Sequence, residues 1–265
     1  TLDRSSAASD VYKRQTSLRE MGINRLSIGV QSLDSDLLQM LGRDHTPQTI
    51  EKALVDARDV GFDNISIDIM YEIPKQNWTS WEKTVQKTLT LPITHISLYN
   101  LTFEKGTPFH RNYKHLKTHL PTEDEGKKML EYAAKTWEAS GLQRYEISAF
   151  AKQEKYQSQH NLGYWTGRLF LGFGPSAYGY MDGERMQNMF PLKRYAAALF
   201  DGKEPVQFRE QLQYPSNMRE LLAIHLRIRK GVSLDEFQKT HRIDEETERA
   251  LQSLIKRGLS LIHIS

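Results

Sequence analysis

Residues 25–70 read RLSIGVQSLDSDLLQMLGRDHTPQTIEKALVDARDVGFDNISIDIM, and the reading of this stretch decides the fold. Its opening residues, 25–30 (RLSIGV), have the composition of a strand and run into a polar Gln31. Thr46 followed by Pro47 marks a helix start. From there Ile50, Ala53, Leu54, Ala57 and Val60 recur at helical spacing until Gly61, which sits past the helix end. Residues 65–70 (ISIDIM) form the next strand. Strand, helix and strand in this order make a crossover unit.

The pattern continues downstream. Thr79 and Glu82 form a capping-box pattern for a helix carrying Trp81, Val85 and Leu89. Residues 93–100 read as a third strand. A second capping pair, Thr122 and Glu125, opens a helix with Met129, Ala133 and Trp137 on one face, stopped at Gly141. Residues 145–147 suggest a fourth strand. Alternation at this spacing calls for parallel strands with helical crossovers. Open doubly wound sheets and closed barrels both satisfy it, and the absence of a glycine-rich dinucleotide fingerprint after any strand leans towards a barrel. Beyond Tyr214 the pattern changes to helices alone: 215–229, a short SLDEF helix capped by Ser233 and Glu236, and one from Asp244 with Ala250, Leu251, Leu254 and Ile255 inward and Gly258 closing it. The α/β part is thus followed by a small, mainly helical, winged-helix-like domain. Such a shape often accompanies DNA binding, but the balanced charge favours a packing or lid role.

Composition narrows the function classes. A net charge of +3 over 265 residues gives no footprint for nucleic acid. No stretch approaches the ~20 apolar residues of a membrane span. With no cysteine, a disulfide framework and any thiolate metal site in these residues are excluded. A cytoplasmic location is the expectation that follows.

The informative polar residues lie at strand ends. Gln31 follows LSIGV, and Asp68 interrupts the apolar SIDIM run. In parallel barrels ligands sit at the carboxyl ends of strands, while a buried carboxylate is costly unless it is paired or hydrogen-bonded. Asp68 is therefore either a ligand contact or a structural carboxylate bonded to a neighbouring strand. Arg43 reads by default as a solvated cation. The run 163–179 (GYWTGRLFLGFGPSAYG) interleaves glycines with Tyr164, Trp165, Phe170, Phe173 and Tyr178, and His160 and Asn161 stand just before it. Glycines allow close backbone approach or positive φ, and the aromatics suit a flat apolar ligand or ordinary packing. His115 and His119 have i, i+4 spacing, but their surroundings read as an exposed loop rather than a metal site. Ser27 and Ser97 lack the partners of a nucleophilic triad.

RLSIGVQS, LGRDH and SIDIMYEIP resemble the oxygen-independent coproporphyrinogen oxidase-like group of radical S-adenosylmethionine (SAM) proteins. YNLTFEKGTPFHR, YEISAFA and HNLGYW resemble its haem-chaperone branch, and the likeness runs from about Thr16 to Gly258. The resemblance implies a partial radical SAM (β/α)6 TIM-like barrel over 16–210, followed by the helical domain over 211–258. It implies SAM contacts at Gln31, Arg43, Asp68 and Thr102, and haem contacts at His160, Asn161 and Tyr164. The implied intact protein binds a [4Fe–4S] cluster, SAM and haem, and delivers haem to an accepting protein, without nucleic acid or an integral membrane segment. The alternative within the group is an oxidase making protoporphyrinogen by SAM-dependent radical decarboxylation. Whether the protein is an enzyme is left open between these two.

One departure stands out. Members of the group open with a CxxxCxxC loop that this chain lacks, so the resemblance implies a gene continuing beyond both ends and a chain that binds cluster and SAM poorly. The flank 1–15 (with SAASDVYKRQ) and the tail 259–265 (with SLIHIS) resemble translated sequencing-adapter sequence and are expected to be non-native.

Overall fold

The computed structural model describes residues 4–258. The chain divides into two compact units, Thr1–Gln157 and Ser158–Ser265. The tail 259–265 and residues 1–3 of the expected non-native flank lie outside the described residues.

The first unit opens with α1 (Arg4–Glu20), a helix that the weak periodicity of its sequence does not announce. It passes from Gln15 to Thr16 without a break, and the buried Gln15 donates from Nε2 to the Ala53 carbonyl at 3.1 Å. Then follow β1 (Arg25–Gln31), α2 (Ser35–Met40), α3 (Pro47–Asp59), β2 (Asn64–Tyr71), α4 (Trp78–Thr88) and β3 (His95–Asn100). Two short helices, α5 (Pro108–Arg111) and α6 (Tyr113–Leu116), lead to α7 (Glu123–Ala139), β4 (Gln143–Glu146) and β5 (Ala149–Ala151).

The helix starts follow side-chain chemistry. Thr46 caps α3 with Pro47 at its first position, and Thr122 and Glu125 cap α7 reciprocally, as the sequence predicts. On α4 the cap is Asn77 rather than Thr79: the Asn77 side chain accepts from Ser80 N at 2.9 Å. Leu89, expected on the inner face, lies at the C-terminal end and is 37% exposed, while Trp81 and Val85 are buried.

The five strands run in the order β1-β2-β3-β5-β4. β1, β2 and β3 are parallel neighbours, as the alternation requires. The expectation of parallel strands throughout needs correcting, because β5 pairs antiparallel with both β3 and β4. The link between β4 and β5 is too short for a helical crossover, so the chain turns back as a hairpin. The helix-facing side of the sheet carries Val30, Ile65, Ile67, Ile69, Ile96 and Leu98. These pack with Leu54, Ala57, Trp81, Val85, Met129 and Trp137 into one buried core.

The second unit comprises α8 (Gln159–Trp165), β6 (Tyr178–Met181), β7 (Glu184–Asn188), α9 (Leu192–Phe200), β8 (Val206–Gln211), α10 (Ser216–His225), α11 (Leu234–Gln238) and α12 (Glu245–Lys256). Its antiparallel sheet β6-β7-β8 is not anticipated by the sequence reading. The 210/211 boundary expected there falls within this unit, just before the end of β8. The expected helix 215–229 is shorter, and Ala250 is exposed rather than inward; Met218, Leu222, Val232, Phe237 and Leu251 form the small core.

Glycines of the 163–179 run serve the fold. A Cβ on Gly172 would stand 2.6 Å from the Tyr178 carbonyl carbon, and one on Gly179 would stand 3.3 Å from Gly172 N. Two backbone segments thus meet where side chains cannot fit. Asn188 Nδ2 ties the loop by donating to the Gly172 and Gly174 carbonyls at 3.1 and 2.9 Å. Because backbone cannot swing aside as a flexible side chain does, Gly172→Ala should destabilise the second unit by about 3 kcal/mol. Urea unfolding of the variant checks this; a change under about 0.5 kcal/mol would mean the two segments are not apposed.

Candidate functional site

The face of the β1–β3 sheet opposite the core is polar, and strand register builds it. Alternation puts Arg25, Ser27, Gly29 and Gln31 on one side of β1. Register then aligns Arg25 with Asn64, Ser27 with Ser66 and His95, and Gly29 with Asp68 and Ser97. Asp68 is thus one member of a period-two polar row. It is half-buried, accepts from Ser27 Oγ at 3.4 Å, and bonds to Ser97. Burial pushes its carboxyl above the ordinary carboxylate range, while Ser97, Ser27 and the Arg25 charge pull the other way.

Gln31 ends β1 at a register shift and holds a left-handed backbone, φ 66°. That conformation is uncommon for a residue with a side chain and concentrates at functional positions. Its side chain folds back over Gly29, with Nε2 2.8 Å from where a Cβ on that glycine would stand. Since Gly29 pairs with Asp68, the Gln31 amide and the Asp68 carboxylate border the same glycine. Thr102 follows β3 and is exposed; Leu101 N, beside it, donates to the Tyr71 carbonyl at 3.1 Å. Arg43 is exposed after α2, and its side chain makes no hydrogen bond or ion pair among the described residues. Gln31 and Asp68 are therefore brought together, whereas Arg43 and Thr102 stand at the same carboxyl-end edge without touching them.

Sequence reasoning missed the row below Asp68. Ser66 Oγ lies 2.7 Å from His95 Nδ1, and His95 Nε2 lies 2.8 Å from the Tyr145 hydroxyl. Arg25 donates to Asn64 Oδ1 at 2.6 Å and to the Tyr156 carbonyl at 2.8 Å. Burial above all, and then the Arg25 charge, push the His95 imidazole down to about 3. Glu72 was missed too. It follows β2 with φ 58°, bonds to Asn100, and lies over Gly126 of α7 in the space a Cβ would need. Apolar–polar alternation in RLSIGVQ, SIDIM and HISLY, taken across aligned strands, was the available signal for the row.

In the second unit, Ser158 caps α8 by accepting from Asn161 N at 3.4 Å. His160 is exposed, and its ring meets Tyr164 one turn on, edge-to-face at 4.6 Å; Tyr164 in turn meets Phe170 at 4.7 Å. Asn161 is half-buried. A cavity of about 280 Å³ opens beside this ladder, lined by Tyr164, Trp165, Arg168, Phe170, Tyr180 and Arg185 among others. Aromatic walls with a few polar groups are what a flat ligand requires. The His115 and His119 rings meet at 5.1 Å, yet no group of three or more candidate metal ligands occurs among the described residues. Nor is any described helix long and apolar enough to cross a membrane.

The chain is also similar to known proteins. Residues 15–88 match the Radical SAM superfamily. The chain is 34% identical over 244 residues to "Heme chaperone HemW" of Bacillus subtilis, covering 91% of this chain and 64% of that protein. It is 40% identical over 158 residues to the mitochondrial "Radical S-adenosyl methionine domain-containing protein 1" of Danio rerio, covering 60% of this chain and 35% of that protein. Among solved structures it resembles the coproporphyrinogen III oxidase (HemN) of Escherichia coli, a radical SAM enzyme, with TM-score 0.77 at 21% identity over 93% of this chain and 60% of that one. At that identity the likeness carries the fold alone, a partial (β/α) barrel. The chain spans about two thirds of the length of the curated bacterial relatives named HemW. Fold, motifs and relatives agree: the chain belongs to the HemW-like radical SAM family.

Proposed function

We infer that the protein is a haem chaperone, binding haem at the α8 face of His160, Asn161 and Tyr164 and passing it to a recipient protein. The observation that carries this reading is the ladder His160–Tyr164–Phe170 beside an aromatic cavity. It leaves an exposed imidazole, a potential iron ligand, at the edge of a surface suited to a macrocycle. The bacterial relatives carry the same name over most of this chain. The reading places the protein in the cytoplasm, in keeping with its lack of cysteine.

SAM would be held at the carboxyl ends of β1–β3. Asp68 and Gln31 offer hydrogen-bonding groups to its polar atoms, and Arg43 and Thr102 stand at the same edge. SAM would supply radical chemistry only with an electron from a reduced cluster, and the residues here would only position it. The [4Fe–4S] cluster is a different matter. It is held by thiolates, the chain has no cysteine, and its residues do not fit the cluster.

Haem titration followed by absorbance tests the chaperone reading. The full chain should take up haem in a saturable way, and His160→Ala should weaken that affinity about tenfold. Unchanged affinity in the variant would remove His160 from the site, and absence of saturable uptake by the parent chain would remove the reading itself.

A further inference from the structure

The cavity in the second unit holds two arginines in opposite electrostatic states. Arg185 is engaged by Glu220 at 2.7 Å and by Glu210 at 3.2 Å. Arg168 makes no ion pair among the described residues, and the one hydrogen bond of its side chain runs from Nη2 to the Gln159 carbonyl at 3.3 Å. It is exposed, so its remaining donors face solvent or a ligand.

Its position is built. The guanidinium occupies the space that a Cβ on Gly163 would take, with Cζ and Nε each 2.5 Å from that point. Gly163 and Tyr164 lie three and four residues beyond His160, so each neighbours His160 across one turn of α8. A glycine that costs helix propensity thus seats a cation against the His160 face, at the lip of an aromatic cavity.

We propose that Arg168 is the carboxylate-recognition residue of this site, which takes a planar aromatic ligand bearing carboxylate groups. Its planar fork matches a carboxylate bidentately in a way a lysine would not. Under the chaperone reading, on which this identification of the ligand rests, the carboxylate is a haem propionate. The cavity, about 280 Å³, falls just below the usual range of ligand pockets, roughly 300–1,000 Å³. It accommodates one edge of a macrocycle and leaves the remainder over the exposed His160.

The test titrates the full chain with haem and with haem dimethyl ester, in which both propionates are neutralised. The parent chain should bind haem about tenfold more tightly than the ester. Arg168→Gln should bind haem about tenfold more weakly than the parent and bind the ester equally well. Gly163→Ala should reproduce that loss with the charge retained, since it evicts the guanidinium while favouring the helix. Haem affinity unchanged in Arg168→Gln, or equal losses for haem and ester, would overturn the assignment and leave the chaperone reading standing. A parent chain that binds neither compound would overturn both.

Discussion

Trp137→Ala is expected to cost the first unit about 3–5 kcal/mol, enough to take most of the stability of a domain in the usual range of about 5–15 kcal/mol. The indole is fully buried and joins three elements. It projects from α7, donates from Nε1 to Thr88 Oγ1 of α4 at 2.8 Å, and meets the Phe150 ring of β5 edge-to-face at 5.0 Å. Thr88 Oγ1 donates in turn to the Val85 carbonyl at 2.6 Å. Truncation removes the apolar burial, leaves a void that close-packed neighbours fill only partly, and deprives Thr88 of its donor. Trp137→Phe separates these effects, since it keeps most of the volume and loses the N–H; its cost should be nearer 1–2 kcal/mol. Urea unfolding followed by far-ultraviolet circular dichroism measures both. A cost below about 1 kcal/mol for the alanine variant would show that α7 does not seat on this sheet through Trp137.

That indole was legible in the sequence because its cues are local. Met129, Ala133 and Trp137 recur at helical spacing behind the Thr122–Glu125 capping pair, and both ends of the pair do what their chemistry predicts. The α4 start was misread because two cap patterns overlap within six residues. Asn77 with Ser80 competes with Thr79 with Glu82, and spacing alone cannot rank them. Asp68 looked like an interruption because the strand was read alone; aligned with β1 and β3 it belongs to a continuous polar row. The glycine run was open in sequence to a ligand or to ordinary packing, and at Gly172 and Gly179 it brings backbone against backbone. The sheet β6-β7-β8 had one clear signal that went unused. Asp182-Gly183 forms a two-residue turn with φ of 51° and 79°, the left-handed pair that tight hairpins favour. Arg168 and Gly163 were not legible at all, since their relation exists only once α8 and the following loop are folded.

Acidification should destabilise the first unit through His95. Its imidazole, 1% exposed, is pushed down to about 3 from an ordinary 6.5, first by burial and then by the Arg25 charge. Between those two values the unfolded chain binds a proton that the folded state refuses, so stability rises with pH across the window. The contribution is fully present above 6.5 and is lost as pH falls towards 3. At about 1.4 kcal/mol per pH unit, the loss reaches roughly 4–5 kcal/mol at the acid end. Asp68 and Glu72, whose carboxyls burial pushes up, act in the opposite direction near the carboxylate range and blunt the loss there. His95→Gln isolates the effect, because an amide can still bond to Tyr145 without titrating. Unfolding free energies measured from pH 7 to pH 4 should fall more steeply in the parent than in the variant, by up to about 1.4 kcal/mol per pH unit. Equal slopes would mean that the imidazole is not held neutral. The same protonation would break a row that spans three strands, since His95 holds Ser66 of β2 through one ring nitrogen and Tyr145 of β4 through the other. A doubly protonated ring can no longer accept from either hydroxyl. One neutral imidazole thus links β2, β3 and β4 across the floor beneath Asp68.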